Sequence, residues 1–285
     1  MRRAAFLCLL AGGCAIAFAP IFVRLSDTGP VASAFWRTAL AMPLLWAWLA
    51  RPAARTEARA AIPRGALAAA GLFFAADLGV WHWSIVYTSV ANSTLLANLA
   101  PIFVTLAGWL FWRRSVTRTF LAGMTIAIVG MFVLVGPNFS AGGTRLLGDA
   151  LGALTGAFYA GYMLAIKSAR DAGASTGRLM AWSTTLTTIV LLPVAYFSPQ
   201  PMFPVHASGW WVLLGLAVVS QILGQGLIAY AFAHLSASLS SVSLLIQPVM
   251  ATIFAWVLFG EAVGTMQFVG GAVVLAGIWL AKRGS

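Results

Sequence analysis

Apolar runs of about 20 residues follow one another down the chain, each closed by a short polar or basic break. They fall near residues 5–23, 31–50, 65–87, 91–112, 119–136, 148–167, 179–197, 210–232, 239–259 and 263–281. At 1.5 Å per residue a run of that length crosses a hydrocarbon core of roughly 30 Å as a helix. The pattern predicts ten transmembrane helices. The stretch from Gly71 to Trp109 is the most informative, because two such runs are separated only by Thr88-Ser89-Val90-Ala91-Asn92-Ser93. Its first run carries Asp77, Trp81, His82 and Ser84, and its second carries Asn98 and Pro101. Polar groups and prolines are costly against lipid, so these positions are expected to face the protein interior or a watery cavity.

Composition excludes a soluble fold. The 285 residues are 61% hydrophobic and 8% charged, against roughly 25% charged in ordinary globular domains. The net charge of +11 would suggest nucleic acid if it were clustered, and it is not. On an alternating path Arg2, Arg3, Arg51, Arg55, Arg59, Arg64, Arg113, Arg114, Arg118, Lys167, Arg170, Arg178, Lys282 and Arg283 lie on one side. Only Arg24 and Arg145 lie on the other, and Arg37 falls inside a span. A split of 14 to 2 obeys the positive-inside rule and puts both termini in the cytoplasm. The basic excess is therefore a topology signal with some attraction to anionic lipid, and no nucleic-acid partner is expected. Arg2-Arg3 and Ala17-Phe18-Ala19 imitate a signal peptide, but the first span has a counterpart in the second half and is expected to be retained. Cys8 and Cys14, six apart on one helix, are read as packing residues.

Slid on itself by 147 positions, the chain aligns landmark on landmark. Gly79 meets Gly226, Ser89 meets Ser236, Ser93 meets Ser240, Pro101 meets Pro248, and Thr105 meets Thr252. Trp109 meets Trp256, Gly123 meets Gly270 and Gly130 meets Gly277. Each half then holds five spans. Five is odd, so the second half must insert upside down, as in secondary transporters whose site lies near the midplane between inverted repeats. The expected division is 1–140 for the first repeat and 141–285 for the second.

The ten spans, the Tyr87–Ser93 turn with its echo His234–Ser240, Pro101, Pro248 and Glu261 together resemble the drug/metabolite transporter superfamily. Within it the chain looks like EamA-type exporters, in particular YddG-type amino-acid exporters of bacteria. The resemblance implies an all-α integral membrane fold, two inverted five-helix repeats around a central cavity. It also implies that spans 1, 3, 4, 6, 8 and 9 line that cavity, that one chain suffices as a monomer, and that amino acids or related metabolites leave across the inner membrane.

Candidate residues follow from the spans that should converge. Asp77, ten residues before Tyr87, would sit about 15 Å below the surface, as a proton-coupling group, an amine partner, or a neutral acid hydrogen-bonded to neighbours within the bundle. Trp81, His82, Asn98, Tyr159, Tyr162, Gln221, Gln225, Ser243 and Gln247 are expected to bind substrate, each side chain able also to serve as interhelical glue. Arg37 is expected to snorkel to headgroups or to pair with Asp27, without a functional role. No metal ligand set and no catalytic motif is found, and no cofactor is expected. Without an acid in the first span, a multidrug cation mechanism is disfavoured. A phosphate-bearing substrate is disfavoured because no deep Lys or Arg is foreseen. The expectation is a secondary exporter of amino acids, bulky apolar ones favoured. Export of other small metabolites or drugs, or passive facilitation, is the alternative, and a membrane enzyme is not expected.

Overall fold

The computed structural model describes residues 2–51, 64–88, 90–113, 115–135 and 145–285. Arg55, Arg59, Arg114, Ser89 and the division at 140/141 lie outside the described residues. The described chain is helical and forms ten spans, with no strand among those residues. They are α1 (Arg2–Leu25), α2 (Pro30–Leu49), α3 (Arg64–Tyr87), α4 (Asn92–Trp112), α5 (Arg118–Val135), α6 (Leu146–Asp171), α7 (Thr176–Tyr196), α8 (Ala207–Phe232), α9 (Ala237–Phe259) and α10 (Thr265–Arg283). Each predicted span overlaps one of them. Nine are apolar enough along their length to cross a membrane on that criterion alone. Helix α2 is the remaining one, diluted by Arg37, Pro43 and three tryptophans.

Four spans are irregular, and proline accounts for three. α1 breaks at Ala17-Phe18 before Pro20, α4 at Asn98-Leu99 before Pro101, and α9 at Leu244-Leu245 before Pro248. Proline has no N–H for the carbonyl four residues back, and its ring crowds that carbonyl. α8 changes to π-helix over Leu216–Gln225, an arrangement frequent at functional sites.

The repeat is visible in the contact between α5 and α10. A Cβ added at Gly123 would overlap the backbone nitrogen of Ala281, and one at Gly270 that of Leu134. These are one contact with the halves exchanged, since 123 + 147 = 270 and 281 − 147 = 134. Gly130 against Val274 and Gly277 against Ala127 repeat the relation, since 130 + 147 = 277 and 274 − 147 = 127. Numbers rise on one helix as they fall on the other, so the pair is antiparallel and the operation exchanging them turns one half over. Small residues here let two backbones touch, which drives association where lipid offers no hydrophobic gain. The helix ends obey the same offset: α4 stops at Arg113 (φ 51°) and α9 at Gly260 (φ 68°), both left-handed.

The end of the bundle joining α1 to α2 is the one the charge pattern assigns to the outside, and is called the outer end below. There the Asp27 carboxylate accepts the backbone N–H groups of Val205 at 3.0 Å and His206 at 2.9 Å. The His206 backbone bond, chiefly, holds that carboxyl below its usual range. Asp27 is thus not a partner of Arg37. Trp36 and Trp46 donate from their indole nitrogens to Met202 O (2.8 Å) and Thr185 Oγ1 (2.9 Å).

Candidate functional site

A cavity of about 160 Å³ lies among α1, α2, α3, α4, α6, α8 and α9. The implied set of lining spans is present, and α2 joins it. On α3, Asp77 lies ten residues from the outer end at Tyr87, and on α2 Arg37 lies seven residues from Pro30. These offsets correspond to depths of about 15 and 10 Å, so the two side chains lie about one helical turn apart in depth and line one cavity.

Of the residues singled out from sequence, Asp77, Trp81, His82, Asn98, Tyr159, Gln225 and Gln247 line the cavity. Gln247 donates to the Tyr159 hydroxyl at 3.4 Å, so the two helices α6 and α9 are tied at the wall. The His82 Nδ1 is bonded to the Leu78 carbonyl of its own helix. A carbonyl only accepts, so Nδ1 carries the proton and Nε2, buried and without a protein partner, is left as an acceptor. Asn98 donates to Thr94 O at 2.7 Å, within the stretch that Pro101 breaks.

Tyr162, Gln221 and Ser243 are close by but do not line the cavity. Tyr162 is 1% exposed and stacks between Phe74 (centroids 4.5 Å apart) and Tyr159 (6.2 Å). Its hydroxyl donates to Gln225 Oε1 at 3.3 Å, making it a floor beneath the cavity ring. The Ser243 hydroxyl is spent on Leu239 O at 2.8 Å. Gln221 bonds Arg37 instead.

Arg37 is the correction. It does not snorkel: it is 7% exposed, its Nε donates to Gln221 Oε1 at 3.0 Å, and its guanidinium lies 5.6 Å from the Phe74 ring centre. The expectation that the cavity lacks a deep cation therefore fails, and with it the reason for setting anionic groups aside. A readable signal was present, since Ala34 and Ala41, three residues before and four after it, share its face of α2 and both are buried. Small residues at that spacing mark a helix-facing side.

Helices α1 and α9 are clasped beside the cavity and at their outer ends. Phe18, in the α1 break, stacks on Phe254 at 4.0 Å. Arg24 pairs with Glu261 and covers the Phe259 ring at 4.4 Å. A second cleft opens at the opposite end, lined by Gly108, Trp112, Lys167, Asp171 and Ser238.

A cavity inside the bundle, mostly apolar with a few polar groups, walled by broken helices and shared between two halves related by inversion, defines a membrane transporter built on an internal repeat. The chain belongs to the EamA-like transporter family, whose sequence pattern it matches twice, at residues 3–136 and 146–283. The family lies in the drug/metabolite transporter superfamily, and the chain is a transporter, not an enzyme. It is 27% identical over 253 residues to the pseudopaline exporter CntI of Pseudomonas aeruginosa (strain UCBPP-PA14), covering 88% of this chain and 85% of that one. It is 31% identical over 205 residues to a probable terminal-alkyne amino-acid exporter of Streptantibioticus cattleyicolor, covering 71% and 67%. A solved crystal structure superposes with a TM-score of 0.83 at 17% identity over 99% of this chain and 98% of the other, a likeness of fold.

Proposed function

We propose that the chain is a secondary exporter of amino acids and close derivatives, with bulky apolar side chains favoured. It works by alternating access, as a monomer in the inner membrane with both termini cytoplasmic. The observation carrying this reading is the cavity lining. Phe74, Trp81 and Tyr159 offer rings, Asn98, Gln225 and Gln247 offer amides, and Asp77 and His82 Nε2 offer acceptors. Rings suit an apolar side chain and a few placed polar groups suit a charged backbone. One relative is named for exporting an amino acid.

The repeats divide at 140/141 in this reading, and the cavity sits where they meet. Trp81, His82, Asn98, Tyr159, Gln225 and Gln247 contact substrate; Tyr162, Gln221 and Ser243 support those contacts. Asp77 is the proton-coupling group, since it is the acid of the cavity lining and finds no hydrogen-bond donor among the described residues. A second reading, export of a larger metabolite, is favoured by the relative named for pseudopaline.

The test is export from proteoliposomes preloaded with labelled metabolites, with and without a pH gradient. Release of phenylalanine, tryptophan or methionine above protein-free vesicles is the expected result. Silence for every amino acid, with release of another metabolite, would keep the family and overturn the substrate.

A further inference from the structure

Arg37 is held in a way that helix packing does not require. Its Nε is occupied by Gln221 Oε1 at 3.0 Å. Gln221 is fixed in turn, because its Nε2 donates to Thr184 Oγ1 on α7 at 3.1 Å. The bond from Nε orients the guanidinium plane and leaves the two terminal nitrogens over. Nη2 is buried without an acceptor, and no described carboxylate lies within 4.0 Å of any Arg37 nitrogen. Asp77 lines the same cavity without closing onto it.

A guanidinium stays charged at any physiological pH, and its paired N–H groups match a carboxylate two to two. Leaving such a group deep in a membrane protein with its outer edge unanswered is unfavourable. An anion arriving in the cavity would answer it. The phosphate alternative fits less well, because Arg37 is the one cation among the lining residues, so a doubly charged group would keep one negative charge unanswered there.

We propose that Arg37, oriented by the Gln221–Thr184 relay, is the carboxylate anchor of the transport site, so that the substrates are zwitterions or amino acid derivatives with a free carboxylate. The proposal rests on the amino-acid reading above and specifies which end of the substrate Arg37 holds. Neutral amides and amines of the same shape are then poor substrates, however well their side chains fit the rings.

The test is counterflow into proteoliposomes holding unlabelled L-phenylalanine, with labelled L-phenylalanine outside and two competitors compared. L-Phenylalanine should compete about 10- to 100-fold better than L-phenylalaninamide, the range expected for one charge-assisted pairing. The comparison uses the unaltered protein and so does not depend on any variant folding. In Arg37→Lys, which keeps the charge and loses the fork, the acid should weaken by a similar factor while the amide changes little. Equal competition by acid and amide in the unaltered protein overturns the proposal and leaves the amino-acid reading standing. Should phenylalanine be silent, each other amino acid is tried in turn against its own amide. If none gives counterflow, the amino-acid reading fails and the proposal falls with it.

Discussion

In the first half, α3 runs unbroken from Arg64 to Tyr87 and presents Asp77, Trp81 and His82 to the cavity. Its counterpart α8 passes through a π segment and presents Gln221 to Arg37 and Gln225 to the cavity. Moving 147 positions from Asp77 reaches Gly224, from Trp81 Ile228, and from His82 Ala229. Arg37 answers to Thr184, and Gln221 bridges the two. At the α5–α10 contact the halves agree, glycine for glycine, while at the cavity they share almost no polar group. The scaffold is duplicated and the site is not. A symmetric site would present each chemical group twice; here one cation and one acid share the cavity, which suits a substrate with two unlike ends.

The strongest way to break that comparison is to attack the shared part. Gly277→Leu places a side chain against the backbone of Ala127 and should cost about 3 kcal/mol or more, read as loss of monodisperse protein in detergent or a large fall in Tm. Gly79, where an added Cβ meets only Leu191 Cδ2 at 3.8 Å, should accept alanine within about 0.5 kcal/mol. If both variants behave alike, the α5–α10 contact is not what joins the halves.

The next test attacks the unshared part. Asp77→Asn should abolish the response of export to a pH gradient while counterflow exchange persists at a weakened substrate affinity, because the carboxylate that would carry the proton is gone and the amide remains as an acceptor. Gradient dependence unchanged in this variant would end the assignment of Asp77. The smallest effect concerns the helix ends. Arg113→Gly should stabilise by about 0.5–1 kcal/mol, since a left-handed residue with a Cβ is strained where glycine is not; its counterpart Gly260 already has glycine. A small rise in Tm is the readout, and no rise would mean that the left-handed end of α4 stores no strain.

Much of this was readable beforehand. Span positions follow from apolar run length alone, and the paired glycines and prolines gave the repeat because packing fixes residue size at set intervals. Seven of the ten site residues proposed from sequence line the cavity, for the physical reason that polar side chains in a lipid span have few other places to go. Arg37 was misplaced because a charge near a span end can rise to the headgroups or turn inward, and only the neighbouring stripe of small residues separates the two. The π segment left no mark in residue spacing, since Gln221 and Gln225 sit four apart whether the turn is α or π. Nor could spacing reveal that Tyr162 lies beneath the ring rather than in it.

The glycine contact between α5 and α10 also has a consequence for biosynthesis. Gly130 and its partner surface around Val274 are separated by 144 residues of chain (274 − 130). At about 5–20 residues per second the ribosome needs on the order of 10–30 s to make that stretch. During that interval α5 is already threaded into the bilayer with its flat backbone face turned to lipid, or to whatever helix or insertion factor shelters it. The halves can be locked together only after the translation machinery has delivered α10, so assembly of the transporter ends, rather than begins, at the seam that relates its two halves.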